Sequence, residues 1–600
     1  LTIFRLVISS YWYSFRLTWN TSKLSFFILT CLKISSGVIP TVLIFISQEL
    51  INQVMSLIRG KSTLLNVLFL FLLQVIIILT AYFFQQRSQI EIKKIENAVN
   101  LYLNEKVFEK IKHLPFNDFE NPEFQNNFNK INMNQNRIIK LSTDGLDFLA
   151  MMLSIFSIFG FLLSISWGFI SFLVLGIIPV FNIQMKFGRK RYQLTGFLTP
   201  YNRRESYIAN LLEQHQSQKE IRLFGLENYL VKKWENYYKT TTNKNLDLLK
   251  RQSKLLLAAQ CISLLTYAAS GILALFLISH GRILIGSLVA VLQAIQQIQG
   301  TLNGLSNLVS GFYESSLIIN DFRSFLKMNE VKNLDSGLEI KKIESIQIKQ
   351  LSFSYPSFTK TTIKNIDLHI VPGKKIAIIG ENGSGKTTLI KCIVGLYETK
   401  GAITINGIPL ETLNLSSYQN RIAVLFQDFN QYELTALENI GFGDIREINN
   451  INKIRVAANL TEMDAYIMGL PKQYDTQLGR YFDGGYQLSG GQWQKIALAR
   501  CLFRQCDVIF LDEPTAALDP KSEIETLEML IQKSKSKALV YITHRLGAAQ
   551  LADEILLMKD GSIIERGSHQ ELLNLKGEYS KMYELQSKWY ITKDNREVMI

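Results

Sequence analysis

Cysteine is scarce and scattered. The 600 residues hold five, Cys31, Cys261, Cys392, Cys501 and Cys506, with no CxxC pair. An odd, dispersed set excludes a disulfide framework and a cysteine zinc site. Cys31 and Cys261 lie in apolar segments and read as packing residues. Charge is sparse as well: 19% of residues are charged against 47% hydrophobic, too apolar a balance for an ordinary soluble enzyme. The net charge of +14 gathers into no single dense basic patch, which argues against a nucleic-acid partner. In a membrane protein it reads instead as cytoplasmic loops rich in Lys and Arg. No internal repeat and no low-complexity tract is present. The stretch from Leu1 to Asn20 is aromatic and basic but lacks a small-residue cleavage site, so no signal peptide is read there.

What the chain does have is long apolar runs. A helix needs about 20 apolar residues to cross a bilayer core, and six segments qualify as candidates: Phe26 to Ile46, Leu64 to Phe84, Leu146 to Ile165, Trp167 to Phe187, Leu255 to Ile278 and Ile283 to Val309. Short turns join the first to the second, the third to the fourth and the fifth to the sixth. The other two connections, Gln85 to Gly145 and Gly188 to Lys254, are long, charged and helix-prone. Their Lys and Arg content places them on the cytoplasmic side, and their length predicts that the spans continue as helices beyond the membrane. The sixth segment is the most polar, with Gln293, Gln296, Gln297, Gln299, Asn303 and Asn307. Such residues face a bundle interior or a wet cavity. Two readings stay open, interhelical hydrogen bonding and the lining of a hydrophilic substrate path. Lys33, in the first segment, reads as snorkelling or cavity-facing rather than catalytic.

The apolar spans end near Phe325. Residues 326–342 read as a polar linker. From Ile343 to about residue 590, short apolar runs alternate with helical patterns, the mark of an α/β domain with a largely parallel sheet. The expected organisation is therefore a membrane domain over 1–325, a linker and an α/β domain over 343–590.

The α/β half carries the chemistry. "KKIAIIG" runs into "GENGSGKTT", a strand followed by G-x-x-x-x-G-K-[ST]. Gly380, Glu381, Asn382, Gly383, Ser384, Gly385, Lys386, Thr387 and Thr388 form this cradle. Its backbone N–H groups wrap phosphates, Lys386 reaches the terminal ones and Thr387 can hold Mg²⁺. In "VIFLDEP", Asp512 emerges at the C-terminal end of a fully apolar strand, where ligands of open α/β sheets bind. It is expected near the Mg²⁺, with Glu513 beside it to polarise an attacking water. "ALVYITH" is another buried-type strand, ending at His544, a candidate γ-phosphate sensor. Tyr355 offers an aromatic face for adenine. A second anion site opens in "QLSGGQWQKIALAR", where Ser489, Gly490 and Gly491 start a helix whose free N–H groups favour negative charge. One nucleotide needs only one complete cradle. The second therefore serves a partner's site, with two such domains placed head to tail around two ATP molecules.

The ordered set "GENGSGKTT", "VLFQD", "LSGGQ", "VIFLDEP", "AALD" and "YITH", after six apolar spans, resembles the ABC exporter half-transporters of type IV fold along nearly the whole chain. The resemblance implies an α-helical six-span transmembrane domain followed by an α/β P-loop ABC nucleotide-binding domain. It implies an ATPase that uses ATP and Mg²⁺ and works as a homodimer by alternating access in the cell membrane. On that pattern Gln427 meets Mg²⁺ and relays the nucleotide state, and Ser489, Gly490, Gly491 and Gln492 contact the partner's ATP. Asp519 crosses the dimer interface and Glu513 is the catalytic base. Short coupling helices are expected around Pro115–Phe124 and Ser206–Gln214. A narrower resemblance, carried by "KEIRLFGLE", "LFQDFNQYELTALENIGFGD" and Trp493 directly after the signature, is to the lantibiotic exporters of the nisin and epidermin type. Phe482, Asp483, Gly484 and Gly485 stand where many exporters carry a charged Glu-Arg element, which leaves a cross-domain contact by that loop open. No Cys/His pair precedes the first span. The expectation is thus export of a modified precursor peptide with its leader attached and cleaved elsewhere. Docking of lanthipeptide modification enzymes on the cytoplasmic loops stays open. The alternatives are a lipid or multidrug exporter of the same fold, an exporter-fold importer and, in another class, an ATP-gated channel or scaffold.

Overall fold

The computed structural model describes residues 2–133, 135–331, 333–355, 360–514 and 520–594. The chain divides into two compact units. One comprises Leu1–Ile111 and Asn126–Met328, the other Lys112–Gln125 and Asn329–Ile600.

The first unit is helical among the described residues: α1 Thr2–Thr21, α2 Lys23–Ile58, α3 Leu64–His113, α4 Phe116–Phe119, α5 Pro122–Met133, α6 Gln135–Ile165, α7 Gly168–Glu213, α8 His215–Leu223, α9 Glu227–Ser279 and α10 Ile285–Leu326, with α4, the end of α3 and the start of α5 falling in the second unit. The 50 residues of α3 reach about 75 Å at 1.5 Å each, far more than a bilayer needs. Its apolar first part buries nothing within the chain. Its charged second part buries a seam at four-residue steps, Glu91, Ile95, Val99, Leu103 and Val107, the i, i+4 stripe of a packed helix. Buried Glu91 is held by Arg87 at 2.8 Å and Lys94 at 3.0 Å.

Among the described residues, α2, α3, α6, α7 and α9 are long and apolar enough to cross a membrane. The sixth expected span falls in α10, which is long enough, at 42 residues, but more polar. Its position in the bundle explains this. Ala290, Val291, Ala294, Ile295 and Ile298 are buried against Ile158, Leu162, Phe169 and Ala274. An interior helix need not be apolar all round.

The N-terminal segment, for which the sequence suggested no element, forms α1. Ser10, Ser14 and Thr18, at four-residue steps, are buried. The Ser14 hydroxyl donates to the Ile138 carbonyl at 2.5 Å, and Thr18 Oγ1 lies 2.9 Å from Ser142 Oγ. Trp12, Phe15 and Trp19 stack along another face. Small polar residues let the helix backbones approach and bond; a pattern search tuned to apolar residues inside misses such a helix.

The second unit is built on two sheets. An antiparallel one has the order β2-β1-β4-β5, from β1 Ile346–Phe353, β2 Ile363–Ile370, β4 Ile403–Ile405 and β5 Ile408–Pro409. The other has six strands in the order β10-β9-β3-β8-β7-β6, from β3 Lys375–Gly380, β6 Ile422–Leu425, β7 Val508–Asp512, β8 Ala538–Ile542, β9 Glu554–Lys559 and β10 Ser562–Gly567. All its pairings are parallel except β9 with β10. Every residue of β3, β7 and β8 is buried, which is why these strands read as continuous apolar runs. The helix α11, Lys386–Ile393, follows β3.

Candidate nucleotide site

Strands β3, β8, β7 and β6 are consecutive neighbours and run parallel. The four loops that follow them therefore leave one edge of the sheet, where ligands bind in open α/β sheets. They carry the phosphate cradle, His544, Asp512 with Glu513, and Gln427. Stretches up to 164 positions apart in the chain thus meet through strand order.

The cradle needs its glycines. Gly380 has φ +149°, and a Cβ there would stand 2.2 Å from the Met558 carbonyl oxygen on β9. Gly385, with φ +100°, turns the chain into α11, a conformation costly for any residue with a Cβ. The Lys386 ammonium is buried and donates to the carbonyls of Gly380 at 3.0 Å and Glu381 at 2.9 Å. Burial pushes its pKa down, and Glu513 and Asp512 partly oppose that.

The acidic pair is held through Asp512 Oδ2 and both carboxylate oxygens of Glu513. Thr387 Oγ1 donates to Asp512 Oδ2 at 2.6 Å. Asp512 is 1% exposed, and burial raises its carboxyl above the ordinary range, the Thr387 bond acting the other way. Its other oxygen, Oδ1, is buried without a partner among the described residues, as is the Ser384 hydroxyl. A buried carboxylate oxygen beside a threonine hydroxyl suits a hard cation, and a buried unpaired hydroxyl facing the cradle suits a phosphate oxygen. On these two observations the residues present fit Mg²⁺ and a nucleotide phosphate chain.

Glu513 is gripped on both oxygens. His544 Nε2 lies 2.7 Å from Oε1, and the Gln427 amide donates to Oε2 at 3.0 Å. Its backbone has φ +49°, a strained region for a non-glycine residue that costs roughly 1–3 kcal/mol. Two bonds offset that: its N–H donates to Ile542 O at 3.2 Å, and Gln494 donates to its carbonyl at 3.2 Å. Gln494 was missed from the sequence, although it stands two residues past the signature motif. It is buried on the helix Gly490–Phe503, and only the packing of that helix shows its role.

Tyr355 Oη lies 3.0 Å from Thr388 Oγ1. Ser489 caps the helix Gly490–Phe503 in a reciprocal box: Ser489 N–H donates to Gln492 Oε1 at 2.8 Å, and Gln492 N–H to Ser489 Oγ at 3.3 Å. The box leaves the N–H groups of Gly490 and Gly491, which have no intrahelical partner, on an exposed helix end. Among the described residues no hydrogen bond joins Ser489 or Gln492 to the cradle of the same chain. Asp519 lies outside the described residues.

Of the two expected coupling segments, Pro115–Phe124 contains the short helix α4. Ser206–Gln214 is the last stretch of α7 and its cap. The separate short helix there is α8, one residue further on.

Comparison with known proteins follows the same division. The family described as ABC transporter transmembrane region matches residues 26–302, and that described as ABC transporter matches 363–516. The chain is similar to the subtilin transport ATP-binding protein SpaT of Bacillus subtilis, 34% identical over 95% of this chain and 93% of that one. It is also similar to the nisin transport ATP-binding protein NisT of Lactococcus lactis subsp. lactis, 31% identical over 92% of each. An ATP-dependent lipid A-core flippase of Aromatoleum aromaticum is 27% identical over 81% of this chain and 80% of its own. Among solved structures, a bacterial Atm1-family ABC exporter with ATP bound superposes with a TM-score of 0.79 at 20% identity, over 93% of this chain and 97% of that one, a likeness of fold.

Proposed function

The chain belongs to the ABC transporter family, as a multi-pass, ATPase-coupled exporter of the cell membrane, and from that premise we propose that its cargo is a lanthipeptide-type precursor, carried by a homodimer. The observation that carries the cargo reading is a cavity of ≈ 840 Å³ in the helical unit, lined among others by Lys33, Gln74, Gln85, Gln89, Gln293 and Gln297. A glutamine amide both donates and accepts, as a peptide backbone does. The names of the subtilin and nisin transport relatives support the same reading. The lipid A-core flippase relatives favour a second reading, a lipid cargo, which a more apolar lining would serve better.

In the nucleotide site Lys386 and the cradle N–H groups bind the phosphates. Thr387 and Asp512 would hold Mg²⁺, which supplies charge neutralisation on the terminal phosphates. Glu513 is the base that takes a proton from the attacking water, and Gln427 and His544 aim its carboxylate. The exposed helix start at Ser489–Gly491 supplies anion-binding N–H groups to the site of the second copy. ATP that binds the closed pair better than the open one drives the change of access.

The test is ATP-dependent uptake of a lanthipeptide precursor into inside-out vesicles, with Glu513→Gln as control. Uptake that vanishes in the variant is the expected result. Absent uptake, with ATPase activity stimulated by lipid instead, sinks the peptide reading and promotes the lipid one.

A further inference from the structure

His544 meets Glu513 from the loop after β8, and its side chain is 39% exposed. Packing does little to hold such a side chain, so its aim depends on the backbone that carries it. That backbone is gripped from a helix that contains none of the nucleotide motifs. On the helix Glu578–Asp594, Gln586 donates from Nε2 to the His544 carbonyl at 2.9 Å and accepts at Oε1 from the Leu546 N–H at 3.0 Å. One amide thus bridges both sides of Arg545. The assignment of its two ends is forced. Reversed, amide hydrogens would face the Leu546 N–H and oxygen would face oxygen.

Leu546 opens the short helix Leu546–Ala549, and the first N–H of a helix has no partner within it. The rest of that turn is anchored independently. Tyr541 donates from its hydroxyl to the Ala548 carbonyl at 2.9 Å, and Leu546, Ala548 and Ala549 are buried. Upstream, the Thr543 N–H donates to the Ile378 carbonyl of β3 at 3.3 Å. The His544 carbonyl stands between these two anchors, and Gln586 holds it there.

The helix that presents Gln586 is itself firmly seated. Glu565 accepts from the Glu578 N–H at 2.5 Å and from the Tyr579 N–H at 3.0 Å, a carboxylate on a helix N-terminus. Tyr579 is fully buried, with its hydroxyl 2.7 Å from His569 Nδ1. Tyr579, Met582, Tyr583 and Gln586 make an i, i+3, i+4, i+7 stripe. The first three pack in or against the apolar core that also holds Leu546 and Tyr541. A glutamine thus stands where the stripe calls for an apolar residue. Packing does not explain it, and two bonds to the His544 turn do.

We propose that Gln586 is a positioning residue for ATP hydrolysis: it fixes the turn that aims His544 at Glu513, so that turnover depends on the helix Glu578–Asp594. This rests on the reading of His544 as a group that acts in hydrolysis, which His544→Ala tests separately. The competing account is that Gln586 only caps the short helix through Leu546.

The experiment uses the full-length transporter in lipid nanodiscs and measures steady-state ATPase kinetics. Gln586→Met keeps the length and packing of the side chain and removes both bonds. The expected result is a kcat lowered about tenfold, the scale of one or two lost hydrogen bonds, with the KM for ATP within about twofold. Gln586→Glu keeps an oxygen for the Leu546 N–H but sets a second oxygen against the His544 carbonyl, and its kcat should fall as far. His544→Ala should lower kcat at least as much, and adding Gln586→Met to it should change nothing further. A wild-type kcat in Gln586→Met overturns the proposal, as do losses that multiply in the double variant. A wild-type kcat in Gln586→Glu beside a lowered one in Gln586→Met overturns it as well and leaves only a cap. If His544→Ala turns over ATP at the wild-type rate, the reading of His544 falls and the role of Gln586 with it. A slow His544→Ala beside a wild-type Gln586→Met removes Gln586 alone.

Discussion

In the unit that carries the parallel sheet, the charged side chains at the centre of the site have named partners: Lys386 its two carbonyls, Asp512 the Thr387 hydroxyl, Glu513 both Gln427 and His544. In the helical unit, Gln85, Gln89, Gln293 and Gln297 line the cavity, and among the described residues no hydrogen bond is made by their side-chain amides. Strand register fixes the first set to within a bond length, as phosphoryl transfer requires. The second set offers many loosely held donors and acceptors to a cargo of variable shape. One region is built for a single geometry, the other for a chemical class. The consequence is a different tolerance to change. A lost partner in the site should abolish work, whereas a lost glutamine should only weaken it.

The sharpest way to break this comparison is at Glu513. Glu513→Gln keeps shape and both neighbours but cannot take a proton, and ATP turnover should fall about 10²–10⁴-fold while nucleotide binding persists. Steady-state hydrolysis and nucleotide binding measured on one preparation check it. A fall of less than tenfold would mean that the base lies elsewhere.

In the cavity the expected effect is smaller and of another kind. Replacing Gln293 and Gln297 together with Leu should cut precursor uptake by about tenfold, the scale of one or two lost hydrogen bonds, and leave basal ATPase within about twofold. Equal losses in uptake and hydrolysis would erase the distinction between the two regions.

Acidification sharpens the comparison from the site's side. Burial raises the Asp512 pKa, so the ionised carboxylate is disfavoured by the fold. It costs stability above the ordinary aspartate pKa, and protonation as the pH falls relieves that cost. Cation binding needs the ionised form. The Mg²⁺ concentration for half-maximal nucleotide binding should therefore rise on acidification, beginning at a higher pH than an ordinary aspartate would produce. A pH series of Mg²⁺ titrations checks this, and Asp512→Asn should flatten it.

The smallest effect is expected in α1. Thr18→Val removes the contact with Ser142 and the donation to the Ser14 carbonyl, and should cost about 1 kcal/mol, read as a modest drop in thermal midpoint. Uptake should be unchanged. A large loss would give this helix a part in transport.

The cradle, the acidic pair and His544 were legible because each motif is contiguous and its chemistry local. The alternation of short apolar runs and helical patterns also marked the strands that present them. Gln494 and Gln586 were not legible. Gln586 stands 42 positions from His544 and belongs to no pattern that chemistry demands at a set spacing. The buried hydroxyl seam of α1 was hidden for a related reason: polar residues at helical spacing look like a solvated face until a neighbouring helix is seen against them. In α10 the glutamines could be read two ways, because periodicity gives a face but not what the face meets.

By itself the sequence determined which residues are able to bind phosphate, hold a cation and move a proton, and which helices are apolar enough to cross a membrane, since composition and local spacing govern both. Tertiary structure alone decided that β3, β8, β7 and β6 lie side by side. It thereby decided which oxygen of Glu513 meets which neighbour, and that Asp512 keeps one oxygen unpaired among the described residues. Those outcomes depend on long-range packing and strand order, which carry no signature at any one position in the chain.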